Sequence, residues 1–103
     1  MPAPVRLKLS AVEDLAEGYA WYESQRSGLG DDFLAAVGRC LDSIARHPLG
    51  NAVAIKNIRQ AQAKPFPYSV FYRVTANEIV VRAIIHNARS PSQWRRRLRR
   101  DDD

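Results

Sequence analysis

The sequence predicts an α+β fold: an N-terminal strand, an αα-hairpin, a three-stranded antiparallel meander and a short C-terminal helix. Three observations carry that prediction. Residues 65–89, PFPYSVFYRVTANEIVVRAIIHNAR, hold two runs rich in Val, Ile, Phe and Tyr joined by Thr75, Ala76, Asn77 and Glu78, the signature of a β-hairpin with a short polar loop. Ahead of it, two stretches with apolar residues at helical spacing flank the turn-like segment SQRSGLGDD. Ahead of both, Val5, Leu7 and Leu9 alternate with Arg6 and Lys8, the period of a half-buried strand.

The alternation stops at Ser10. Ser10 and Glu13 stand at capping-box spacing, in which each side chain satisfies the other's backbone amide, so a helix is expected to start there. Val12, Leu15, Ala16, Tyr19 and Tyr22 form its apolar stripe, and Gly18 leaves room for a close neighbour. Gly28 and Gly30 break the helix, and Asp31 or Asp32 is placed to cap a second one and complement its dipole. That second helix carries Phe33, Leu34, Val37, Leu41 and Ile44 on one side with Cys40 beside them. It stops at His47, because the residue before a proline is pushed out of the helical region. Residues 51–59 read as a strand with a bulge near Lys56 or Asn57, and residues 60–65 as a loop.

Within the hairpin, Val74 opposite Ile79 sets Tyr72 opposite Val81 and Val70 opposite Ala83, which makes one face wholly apolar. Ser69, Phe71, Arg73, Val80, Arg82, Ile84 and His86 fall on the other face. Ser90-Pro91-Ser92 opens the last helix, through Trp94. Two helices on one side of a four-stranded sheet leave the other side open. Residues 1–97 are expected to be a single domain and residues 98–103 a charged tail whose three aspartates are disordered.

A chain of 103 residues supports one core. No run approaches the roughly 18 to 20 apolar residues of a membrane span, and MPAPVRLKLS has no signal-peptide core. The lone cysteine, Cys40, excludes an internal disulfide and a cysteine-rich metal site, even with His47 and His86. A cytoplasmic protein without cofactor or metal is the expectation, with Cys40 as a core residue and His47 as a dipole partner at its helix end. The charge is uneven: residues 1–53 carry five Lys or Arg against seven Asp or Glu, while residues 54–100 carry eleven against one, Glu78. Such a surface attracts nucleic acid or an acidic protein.

The open face is expected to display Arg73, Arg82, His86 and Lys56, interleaved with Phe71, which is the make-up of a single-strand nucleic-acid binder. The alternative at that position is Phe71 packed under the stem of Arg82. A metal-independent ribonuclease would need a proton-transfer group and cations for developing phosphate charge; His86 with Arg59, Arg82 and Arg89 could supply them. No Ser-His-Asp set, phosphate-cradling glycine loop or metal-ligand cluster is present.

An ordered set of residues then resembles a known family. Tyr19-Ala20-Trp21-Tyr22-Glu23, Gly28-Leu29-Gly30, Phe33-Leu34, Pro48, Ile58-Arg59, Phe66-Pro67-Tyr68-Ser69-Val70-Phe71-Tyr72, Ile85-His86-Asn87-Ala88-Arg89, Pro91 and Trp94 are similar to the RelE/ParE superfamily of bacterial toxins from type II toxin-antitoxin modules, the class linked to plasmid stabilization. The resemblance implies two branches: ribosome-dependent messenger-RNA endoribonucleases, and ParE-like members that block DNA gyrase. Ile55, Asn57 and Ser69 stand where the ribonuclease branch commonly carries basic residues, and Trp94 or Arg95 where it carries a tyrosine. The ParE-like branch is therefore favoured, with Arg59, Arg73, Arg82, His86, Arg89 and Trp94 as the target-binding surface. Were the chain a ribonuclease, Arg59, His86 and Arg89 would be its catalytic residues. Both branches imply a ParD- or RelB-like antitoxin whose disordered part folds onto the toxin, with Trp21, Tyr22 and Phe71 as anchors. A chain that has lost toxicity and only binds antitoxin is the third reading.

Overall fold

The computed structural model describes residues 3–100; the aspartates 101–103 lie outside the described residues. The elements are β1 (Val5–Leu7), α1 (Leu9–Gln25), α2 (Leu29–Arg46), β2 (Val53–Ile55), β3 (Ile58–Gln62), β4 (Tyr68–Val74), β5 (Ile79–His86) and α3 (Pro91–Arg100). They build one five-stranded sheet in the order β1-β5-β4-β3-β2. β1 runs parallel to β5 at one edge, and the other neighbours are antiparallel. The β4–β5 hairpin is the centre, and its loop is closed by the Thr75 side chain, which takes the amides of Asn77 and Glu78.

Both helix starts differ from the sequence expectation. α1 begins two residues early, at Leu9, with Lys8 rather than Ser10 as an extended N-cap. Lys8 is held there because its own amide still bonds to Val81 of the sheet at 3.0 Å. Ser10 makes no cap; its hydroxyl donates to the Arg82 carbonyl instead. At α2 the cap comes from the preceding helix: the Glu23 carboxylate accepts the amides of Gly28 and Gly30 at 3.0 and 2.9 Å. Gly28 sits at φ 91°, where a side chain would be strained. Asp31 and Asp32 lie inside the first turn, where they favour the helix dipole.

The predicted single strand over 51–59 is two. Lys56, at φ 51°, and Asn57 turn the chain between β2 and β3, so the bulge expected there is a tight hairpin turn. β3 then runs on to Gln62, through much of the expected loop.

The decisive departure is in β5. Val74 pairs with Ile79 and Tyr72 with Val81, but Phe71 then pairs with Ala83 and Val70 with Ile84. Arg82 is the extra residue of a β-bulge, and because side chains alternate, everything after it changes face. Ile84 joins Val70, Tyr72 and Val81 in the core beneath α1 and α2, where Phe33, Val37 and Ile44 meet the sheet. Ala83 and Ile85 join Ile58, Phe71 and Leu98 in a second core on the opposite face. That face is not open: α3 lies across it, and the helix reaches Arg100 with Leu98 only 2% exposed.

Candidate macromolecular interface

The bulge positions the residues expected to meet a partner, and it withdraws two of them. Arg82 is 4% exposed and donates from Nη2 to the Leu98 carbonyl at 3.2 Å. Phe71 is 1% exposed and lies against Trp94, ring centroids 4.8 Å apart. The alternative of packing holds for Phe71, with Trp94 rather than Arg82 as its cover. Neither Arg82 as a target contact nor Phe71 as an antitoxin anchor is at the surface of this fold. The physical reason is that the last helix is amphipathic: Trp94, Arg97 and Leu98 stand three and four apart and turn inward together.

Asp14 of α1 completes the arrangement. Its carboxylate accepts the Ile84 amide at 2.9 Å, an amide displaced by the bulge. The same carboxylate takes both ends of the Arg97 guanidinium, at 3.0 and 2.8 Å. One acidic side chain thus ties α1, the bulge and α3.

Beyond the Trp94 end, the α3 side of the sheet carries a polar cleft of about 170 Å³. Ser69, buried, accepts the amide groups of Gln60 and Gln62, both at 2.9 Å, and donates to Asn87, which in turn donates to Gln62. The lining residues are Gln60, Gln62, Ser69, Phe71, Ile85, His86, Asn87 and Trp94, so among the described residues no Lys or Arg lines it.

His86 borders a second cleft, about 370 Å³, with Glu17, Trp21, Tyr68 and Arg89. Its ring stands edge-on to Tyr68, centroids 5.1 Å apart. Nδ1 accepts the Ala88 amide at 2.9 Å, which leaves the proton of the neutral ring on Nε2. Burial pushes the Tyr68 hydroxyl above its ordinary range, and the Arg89 charge pulls against that. The structure therefore brings His86 and Arg89 together. Arg59 is elsewhere: it pairs with Tyr72 while His86 pairs with Tyr68 from the other side of β4, four strand residues or roughly 13 Å further along the sheet. Its Nη1 donates to the Asn51 and Leu49 carbonyls at 2.6 and 3.4 Å, bracing the loop after α2. Arg73 is half-buried near the far end of β4, opposite Ile58 and Val80.

On the helix side, Trp21 is 58% exposed. Tyr22 is half-buried among Phe33, Phe66 and Tyr68, with centroid distances of 5.2, 4.8 and 6.0 Å. Between α1 and α2 runs an apolar groove of about 340 Å³, lined by Val12, Leu15, Ala16, Tyr19, Asp31 and Leu34. Val12 and Leu34 were expected inside; both are exposed. The signal was available, since Leu9, Val12 and Ala16 recur at three and four as a stripe of their own, more apolar surface than one helix face can bury. Among the described residues, no cluster of His, Cys, Asp or Glu could hold a metal ion, and no helix is long and apolar enough to cross a membrane.

An αα-hairpin on one face of a small mostly antiparallel sheet, with a helix crossing the other, is the fold of the RelE/ParE superfamily toxins. Solved structures agree. The chromosomal ParDE system of P. aeruginosa superposes with a TM-score of 0.73 at 16% identity, covering 82% of this chain and 95% of that one. The RelBE2 toxin-antitoxin complex of Mycobacterium tuberculosis gives 0.62 at 22% identity, with 84% and 99% covered. The E. coli DinJ-YafQ toxin-antitoxin complex gives 0.63 at 9%, with 85% and 96% covered. The sequence itself matches, over residues 5–91, the family described as ParE toxin of type II toxin-antitoxin system, parDE, and the chain belongs to that family. A comparison with curated proteins finds no match.

Proposed function

We propose that this chain is the toxin of a bacterial type II toxin-antitoxin pair, that it inhibits DNA gyrase by binding it in the cytoplasm, and that a cognate antitoxin neutralises it. The observation that carries this reading is the Ser69 cleft. A surface that cleaves RNA must stabilise charge developing on phosphate, and this one is lined by amides, a hydroxyl and aromatic rings around a single histidine. Arg59 is committed to a loop and Arg82 to α3. What remains at the surface is suited to association, with Arg73, His86, Arg89 and Trp94 as the target contacts.

The antitoxin reading draws on two features. Two of the superposing structures are toxin-antitoxin complexes, and the groove along Val12 and Leu34, with exposed Leu9 one turn before Val12, suits the apolar side of a segment that folds on binding. The working state is then a hetero-oligomer.

A ribosome-dependent endoribonuclease is the second reading, favoured by the pairing of His86 with Arg89 in one cleft. Supercoiling by purified gyrase separates the two. Inhibition that scales with added protein supports the first. Unaffected gyrase together with cleaved ribosome-bound message supports the second, and normal growth on induced expression without the neighbouring gene counts against both, leaving a non-toxic antitoxin-binding protein.

A further inference from the structure

Arg95, Arg96, Arg99 and Arg100 are all exposed on the outer side of α3, around an open trough of about 530 Å³ that Ser92 completes. Among the described residues, arginine salt bridges go to Glu78, Asp32 and Asp14, and none comes from these four. Arg95 with Arg99, and Arg96 with Arg100, are like charges one turn apart, each pair costing a few tenths of a kcal/mol in an isolated helix. The inner side of α3 holds it in place through Leu98, the Trp94–Phe71 contact and the Arg97–Asp14 pair. Arg95 in addition rests its guanidinium 5.2 Å above the Trp94 ring. The helix is therefore a preorganised cationic rod, anchored on one side and charged on the other.

We propose that the outer face of α3 binds the phosphate backbone of duplex DNA. Four guanidinium groups fall within about 7.5 Å of helix rise, against roughly 3.4 Å per phosphate along one strand, and each can take a phosphate bidentately. A protein partner would need an apolar centre to its interface; among the described residues the exposed large apolar ones are Leu9, Val12, Trp21, Leu34, Leu49 and Val53, none of them on α3. A single strand would need an aromatic platform, and the one aromatic residue of α3 is packed on Phe71. Duplex RNA has a deep, narrow major groove, whereas that of B-DNA admits a helix. Binding is by charge and shape, without base readout.

The test is fluorescence anisotropy of a labelled, blunt DNA duplex of two helical turns with the purified full chain, over a series of salt concentrations. Binding is expected, with log K falling linearly in log salt. The variant Arg95→Gln/Arg96→Gln/Arg99→Gln should bind about tenfold or more weakly at low salt, with a slope shallower by roughly 2 to 3. The matched variant Arg26→Gln/Arg39→Gln/Arg46→Gln removes the same charge from exposed arginines of α2 and of the turn before it and should leave most of the affinity. Absence of binding, or equal loss in the two variants, overturns the proposal. So does equally tight, α3-dependent binding of polyglutamate, single-stranded DNA or duplex RNA. The salt slope of the unaltered chain needs no variant to fold, and the assay contains no topoisomerase, so its result is independent of the gyrase proposal.

Discussion

Asp14 and Arg97, 83 residues apart in sequence, form a two-point ion pair at 3.0 and 2.8 Å, and the same carboxylate takes the Ile84 amide that the β5 bulge displaces. The pair is partly shielded, with side-chain exposures of 17% and 30%. Charge-assisted, bidentate contacts of this kind exceed the usual surface salt bridge. Asp14→Asn and Arg97→Gln should each destabilise by about 1 to 3 kcal/mol, read as a lower urea midpoint. The double variant should fall short of the sum by roughly 1 kcal/mol. Strict additivity would mean that the two groups do not act on each other.

Trp94 is the apolar half of the same attachment. Trp94→Ala strips the cover from Phe71 and should cost about 2 kcal/mol, less than a fully buried aromatic because Trp94 is half-exposed. Amide exchange across residues 91–100 should rise well before exchange in β4 and β5. Unchanged protection of the last helix would show that Leu98 and Arg97 hold it without the indole.

The cap on α2 predicts an inverted ranking. Glu23→Ala should cost about 1 to 2 kcal/mol by thermal or chemical unfolding, since it orphans the Gly28 and Gly30 amides. Gly28→Ala should cost roughly 1 kcal/mol for its left-handed backbone. Asp32→Ala, the expected cap, should stay within about 0.5 kcal/mol. A larger loss at Asp32 than at Glu23 would refute the assignment.

Burial pushes the Cys40 thiol up to about 11. An acid whose proton is held more tightly when folded adds stability below its unfolded pKa and loses it as pH rises toward the folded one, because the unfolded chain releases the proton first. Stability should therefore decline from about pH 9 upward, and Cys40→Ala should flatten that part of the curve. In the native state at neutral pH, the thiol should react with iodoacetamide far more slowly than in urea; equal rates would contradict its burial.

The antitoxin groove can be tested without disturbing the core, because Val12 and Leu34 are already exposed. Val12→Glu with Leu34→Glu should keep the unfolding midpoint close to that of the parent while weakening a cognate antitoxin by about tenfold or more, measured calorimetrically. Full affinity in this variant would move the antitoxin to another surface.

Much of this protein could be read from its sequence, because local rules and burial agree. The period-two runs of β4 and β5, the polar loop 75–78 and the glycine break between α1 and α2 are all local signals, and each lies where alternation and helical spacing put it. The site was less legible. Trp94, Arg97 and Leu98 at helical spacing were a readable sign of an inward face on α3, yet the four other arginines beside them concealed it. Arg82 was assigned to solvent by strict alternation, and one extra residue in the ladder was enough to move its neighbours across the sheet.

The sequence alone determined the class of fold, the two-helix layer, the central hairpin and the basic second half, since these follow from side-chain periodicity and composition. Only the tertiary structure decided which cations reach solvent. That outcome depends on the bulge at Arg82, on Asp14 meeting Arg97 from the other end of the chain, and on α3 closing over Phe71. Contacts between residues so distant in sequence are selected by the packing energy of the assembled chain, and no short window of residues encodes them.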